Sequence, residues 1–136
     1  MKAAVRYYTR SGNTRKLAEA IAKALGVEAL DVSVPLEEDV DLLFLGSSVY
    51  AAGVDDKVKS FISGIGVQVG RVVNFSTAAL LPSTYKQVKK LVEDKGLVMA
   101  EEEFHCRGSF LHMHRGKPDA GDCMAAAGFA RRLCGE

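Results

Sequence analysis

Tyr8-Thr9-Arg10-Ser11-Gly12-Asn13-Thr14 joins a short β-prone run, Lys2 to Tyr8, to a segment in which Leu17, Ile21, Ala24 and Leu25 recur at helical spacing until Gly26 stops it. The turn therefore ends a strand and opens a helix. A helix N-terminus offers N–H groups with no intrahelical acceptor, together with the positive end of the dipole, and so suits an anion. Three hydroxyl residues, Thr9, Ser11 and Thr14, stand around this one, and Gly12 lets the backbone approach closely. A purely structural cap needs one Ser or Thr, so the stretch holds more than capping requires. It contains no lysine and no Walker pattern, which points to a tightly held monophosphate rather than a triphosphate carried with magnesium.

Working outward, Val27 to Val32 reads as a second strand. Ser33 to Val40 is a polar connection with Pro35 and an acidic run, too cramped for a full crossover helix. Asp41 to Ser48 (DLLFLGSS) is the continuous apolar run of a strand buried on both faces of a parallel sheet. Asp55 can cap a helix in which Val58, Phe61, Ile62 and Ile65 share a face. Arg71 to Ser76 is the fourth strand. Tyr85, Val88, Leu91 and Val92 mark a helix ending near Gly96, Leu97 to Cys106 is the fifth strand, and Asp119 opens a terminal helix reaching Leu133. This alternation predicts an α/β sandwich around a parallel sheet, with ligands at the carboxyl ends of the strands beside a topological switch point.

The 136 residues, about half of them hydrophobic, make one domain with a proper core. The net charge of +1 is scattered, which argues against nucleic-acid or membrane partners. Met1 to Val5 enter a strand without a signal-peptide core, and no apolar run reaches membrane-spanning length, so a cytoplasmic protein is expected. Cys106, Cys123 and Cys134 lack C-x-x-C spacing and read as reduced thiols, Cys106 and Cys123 as small buried hydrophobes. His105, Cys106, His112, His114 and Cys123 could in principle gather round a metal, but their spacings match no common ligand motif, and no metal site is expected.

Two further loops follow the third and fourth strands. Ser47-Ser48-Val49-Tyr50-Ala51-Ala52-Gly53 sets one aromatic among small residues, leaving room for a flat ligand on the Tyr50 ring. Phe75 to Tyr85 offers small side chains and backbone donors, with Tyr85 itself read as helix core. The sequence YTRSGNT after strand one, LGSSVYAAG after strand three and NFSTA after strand four together resemble the short-chain flavodoxin family, over essentially the whole chain.

The resemblance implies a flavodoxin-like fold, a five-stranded parallel sheet in the order 2-1-3-4-5, and noncovalent FMN used for electron transfer between redox partners. By position, Thr9, Arg10, Ser11, Gly12, Asn13 and Thr14 would hold the FMN phosphate. Ser47, Ser48, Val49, Tyr50, Ala51, Ala52 and Gly53 would lie against the flavin, and Ser76, Thr77 and Ala78 would flank its other side. The chain departs from the family in having no Gly-Asp and aromatic pattern after the fourth strand, and nothing from Thr77 to Tyr85 is acidic. Fewer acids near a reduced, anionic flavin imply a less negative lower reduction potential than in acidic flavodoxins.

The expected function is thus a monomeric electron carrier without its own substrate pocket. The alternatives are an FMN-dependent NAD(P)H or quinone reductase, which needs an extra pocket, and a flavodoxin-like module that has lost FMN. A response-regulator receiver is excluded, because Tyr8-Thr9 and Ser47-Ser48 stand where its acids would be. Gly64 to Gly70 leads from a helix into a strand, the reverse of a dinucleotide fingerprint, and is a turn.

Overall fold

The computed structural model describes residues 1–10, 12–50, 53–77, 84–106, 116 and 118–135; for Val49, Tyr50 and Gly53 it describes the backbone alone. Strand β1 (Ala3–Tyr7) leads into α1 (Asn13–Leu25), then β2 (Ala29–Asp31), β3 (Val40–Tyr50) and the two-residue β4 (Gly53–Val54). Helix α2 (Asp56–Ser63), β5 (Val69–Thr77), α3 (Tyr85–Asp94), β6 (Met99–Cys106) and α4 (Ala120–Leu133) follow. The five long-range strands run parallel in the order β2-β1-β3-β5-β6, which is the predicted 2-1-3-4-5. A pair not foreseen is β4, which folds back antiparallel on the end of β3, Val49 opposite Val54 and Tyr50 opposite Gly53.

The apolar run of β3 is continuous because both its faces are covered. Leu43 and Leu45 pack with Val58, Phe61 and Ile62 of α2 and with Val88 and Val92 of α3. Leu42 and Phe44 face the other way, onto Leu17 and Ile21 of α1 and Phe129 of α4. Helix α1 buries Leu17, Ala18, Ile21 and Ala22, whereas Ala24 is only half-buried, one position round from the expected stripe. It ends at Gly26 with φ of 71°, which the Val27 N–H helps close by donating to the Ala22 carbonyl at 3.0 Å. That turn takes up Val27, so β2 is shorter than the predicted Val27 to Val32.

No helix crosses between β2 and β3, and a buried arginine does the tying instead. Arg6, 8% exposed, donates from Nε to the Val34 carbonyl at 2.8 Å, from Nη2 to Pro35 at 3.2 Å and from Nη1 to Val5 at 3.1 Å. One rigid guanidinium thus satisfies two carbonyls of the connection and one of β1, tying the connection to the strand. On the far edge, Val72 pairs with Met99 but Asn74 with Glu103, so a bulge displaces the acidic edge strand β6. Bulged, charged edges resist pairing with other chains. Among the described residues no helix is long and apolar enough to cross a membrane.

Candidate functional site

The turn after β1 delivers the chain to α1 through Gly12, the N-cap, at φ of 88°, a conformation that favours glycine. A Cβ there would meet nothing within 4 Å, so the conformation and not crowding calls for glycine, and the space above the cap is open. The Gly12 N–H donates to Thr9 Oγ1 at 3.0 Å, which curls the turn back on itself. Intrahelical bonding begins with Lys16 N–H to the Gly12 carbonyl at 3.3 Å. Glycine brings no side-chain acceptor to the first turn. By contrast, Asp55 caps α2 by accepting from Lys57 N–H at 2.9 Å, and Asp119 with Asp122 builds a full capping box on α4. Two helices carry an anion of their own at the N-terminus, and α1 does not.

Directly beneath, three buried hydroxyls from three elements meet. Thr14 Oγ1 lies 2.6 Å from Ser48 Oγ and 2.9 Å from Thr77 Oγ1, and Ser48 Oγ lies 3.1 Å from Thr77 Oγ1. The cluster ties the start of α1 to the carboxyl ends of β3 and β5. On the opposite face of the sheet, Ser47 Oγ donates to Thr84 Oγ1 at 3.0 Å, and Thr84 bonds Asn74. Strand alternation explains the division: Ser47 follows Leu43 and Leu45 to the α2–α3 side, and Ser48 follows Leu42 and Phe44 to the α1–α4 side. Among the described residues every buried side-chain nitrogen and oxygen has a partner.

Gly46 lets these pieces come together. A Cβ on it would stand 2.3 Å from Phe75 Cε2 and 2.8 Å from Thr14 Cγ2, so only a bare backbone admits both. A further tie crosses the top of the site. Arg10 Nη2 donates to Asp55 Oδ2 at 2.6 Å, linking the glycine turn to the α2 cap. The Lys57 N–H, and after it Arg10, hold the Asp55 carboxyl below its ordinary pKa, while Asp55 and then Tyr8 raise that of Arg10.

Thr9, Arg10, Gly12, Asn13 and Thr14 therefore gather at one helix start, and Ser47, Ser48, Ser76 and Thr77 lie beside it at the strand ends. Thr14 is 0% exposed, and its hydroxyl, expected to face a phosphate, turns instead into the buried cluster. Ser11, Ala51, Ala52 and Ala78 lie outside the described residues, as do His112 and His114, and the Tyr50 ring is likewise not described. Tyr85 is helix core as expected, its hydroxyl donating to the Ala100 carbonyl at 2.8 Å. Cys106 and Cys123 pack against the α1–α4 core, where burial, then Asp122, pushes the Cys123 thiol up. Sequence reading missed Gly46, Asn74 and Thr84, and saw Asp55 only as a cap. Their signal is the switch from large apolar residues to Gly, Ser, Thr and Asn at the ends of β3 and β5.

The model of the flavodoxin domain matches residues 4–108, more than half the chain. The chain belongs to the flavodoxin domain family. Among solved structures, a flavodoxin from the domain Archaea superposes with a TM-score of 0.76 at 16% identity, covering 99% of this chain and 97% of that one. Flavodoxin 1 from Bacillus cereus gives 0.71 at 16% identity, covering 100% and 99%. Rubredoxin oxygen:oxidoreductase from Desulfovibrio gigas gives 0.72 at 15% identity; 96% of this flavodoxin-domain chain aligns, spanning only 34% of that larger protein. At such identities the likeness is one of fold. No curated protein matches the sequence.

Proposed function

We propose that this flavodoxin-domain protein binds FMN noncovalently, with the phosphate at the N-terminus of α1, and carries electrons between protein partners. The glycine cap of α1 supports this reading most directly. Where α2 and α4 fill their N-termini with aspartate, α1 and α3 carry none there, and α3 starts from the buried Thr84 whereas α1 starts from a glycine with open space above it, which suits an incoming anion. The residues present fit such a group: Tyr8 to Thr14 carries hydroxyls, backbone N–H groups and Arg10, and no carboxylate. Thr9 Oγ1 already accepts from Gly12, which leaves its own proton to donate outward. With Arg10, Ser11, Gly12, Asn13 and the Thr14 N–H it would hold the phosphate. The turn from Ser47 to Gly53 would lie along the flavin, with Ser76, Thr77 and Ala78 beyond it. The bound flavin supplies the electron chemistry, and the protein supplies position and a dry, fixed dipole environment.

The test is a titration of apoprotein with FMN, following quenching of flavin fluorescence, with riboflavin alongside. Saturable FMN binding that riboflavin matches only at least about tenfold more weakly is expected, since the phosphate adds charge-assisted hydrogen bonds. Gly12→Ala, forcing a Cβ into the left-handed region at a cost of about 1–2 kcal/mol, should erode that preference. Equal affinities for FMN and riboflavin, or no binding to folded apoprotein, would refute the proposal. Consumption of NADPH or NADH by the FMN-loaded protein alone would move the function to a reductase.

A further inference from the structure

In this fold α1, α2 and α3 each follow a strand, so their N-termini lie at the carboxyl edge of the sheet, where the proposed flavin site is. Their macrodipoles make that edge positive, and local preference would place acids there and bases at the far ends. The lysines do the opposite. Lys16 stands in the first turn of α1, Lys57 in that of α2, and Lys86, Lys89 and Lys90 within the first six residues of α3.

All five are exposed, and none has an ion pair among the described residues. Lys86 and Lys90 repel each other one turn apart on a helix with no acid in its first turn, while Glu93 and Asp94 crowd its negative end. Glu28, Glu93 and Asp94 lie toward the amino edge of the sheet together with Lys2, Lys23 and Lys95, so the acids and bases there largely offset each other, and the α3 lysines have no such counterweight at the carboxyl edge. At the carboxyl edge, Asp119 and Asp122 are engaged in their capping box, Asp55 is paired with Arg10 and Asp56 with Lys59, and Glu101 to Glu103 lie along the β6 edge. On α3 alone the rule is broken at both ends, with no acid in the first turn and no base in the last, which marks a surface shaped by something outside the chain.

We infer that the α3 face bearing Lys86, Lys89 and Lys90, extended by Lys57 of α2 on the same side of the sheet, docks an acidic protein partner against the flavin end of the molecule. The inference rests on the electron-carrier reading for its purpose, but the docking is measurable without flavin. Positive potential at this edge steers a negative partner in and orients it, and salt weakens the encounter.

The test measures binding of the apo and the FMN-loaded chain to two immobilised probes, an acidic plant-type ferredoxin and a basic c-type cytochrome. The ferredoxin should bind at low salt, losing at least about tenfold between roughly 50 and 300 mM salt. The cytochrome should not bind. K86Q/K89Q/K90Q should lose ferredoxin binding about tenfold or more while resisting urea at least as well as the parent. K2Q/K23Q/K95Q, which removes as many charges at the other end, should stay within about twofold. Tighter binding of the cytochrome, equal losses in both variants, or stronger retention of the face on single-stranded DNA or anionic vesicles would overturn the inference. Ferredoxin docking by a chain that fails the FMN titration would sink the carrier reading and leave the docking face standing.

Discussion

Replacing Gly46 by alanine tests whether the site end of the sheet is as tightly closed as its geometry implies. The new methyl would sit 2.3 and 2.4 Å from two carbons of the Phe75 ring and 2.8 Å from Thr14 Cγ2. Carbon pairs rest at about 3.5–4.0 Å, so the ring must retreat by more than about 1 Å. Phe75 is 0% exposed, and Leu17, Phe44 and Val73 in the same cluster are equally buried, which leaves it nowhere to go. Overpacking of a full core costs about 1–3 kcal/mol, and contacts this short belong at the upper end.

With a urea slope of about 1.5 kcal/mol per molar, a loss of about 3 kcal/mol lowers the unfolding midpoint by about 2 M at unchanged slope. Phe75→Leu removes the ring edge, so the double variant should recover at least about 1 kcal/mol relative to the sum of the two single changes. A midpoint shift below about 0.3 M for Gly46→Ala, or strict additivity with Phe75→Leu, would refute the close approach.

The buried hydroxyl cluster predicts a ranking. Thr77→Val leaves the short Thr14–Ser48 bond of 2.6 Å and should cost about 1 kcal/mol, whereas Thr14→Val leaves only the longer Ser48–Thr77 contact of 3.1 Å, also removes a bond to the Ser47 carbonyl, and should cost about 2 kcal/mol, read from urea midpoints. Arg6→Lys cannot reach three carbonyls with one ammonium; a loss of about 2–3 kcal/mol and faster hydrogen exchange around residues 34–37 are expected, and unchanged exchange would dismiss the tie. Asp55 is depressed in the folded state, so its contribution is present above the unfolded carboxylate value of about 3.9 and is lost as pH falls through the lower folded value. Acid unfolding followed by circular dichroism should therefore be steeper below about pH 4 in the parent than in Asp55→Asn, and identical slopes would count against the pair. In the FMN-loaded protein, the cationic rim should make the lower reduction potential less negative than in an acidic flavodoxin, which a potentiometric titration reads directly.

Periodicity carried most of the architecture. An apolar run such as Asp41 to Ser48 fits a strand covered on both faces, the alternation with helices makes its sheet parallel, and α1 to α4 follow from spacing and caps that are local in sequence. The glycine turn was legible for the same reason, because capping and left-handed backbone depend on neighbours within a few residues. Shared position at the ends of β3 and β5 brought Ser47, Ser48, Ser76 and Thr77 into the site, but nothing local told which way each hydroxyl turns. Only the tertiary structure decided that Thr14 bonds Ser48 and Thr77 across 34 and 63 positions, that Gly46 must be bare because Phe75 and Thr14 converge on it, and that Arg10 reaches Asp55 rather than standing alone in the turn. Those contacts join distant segments, and their geometry exists only once the sheet has set its register.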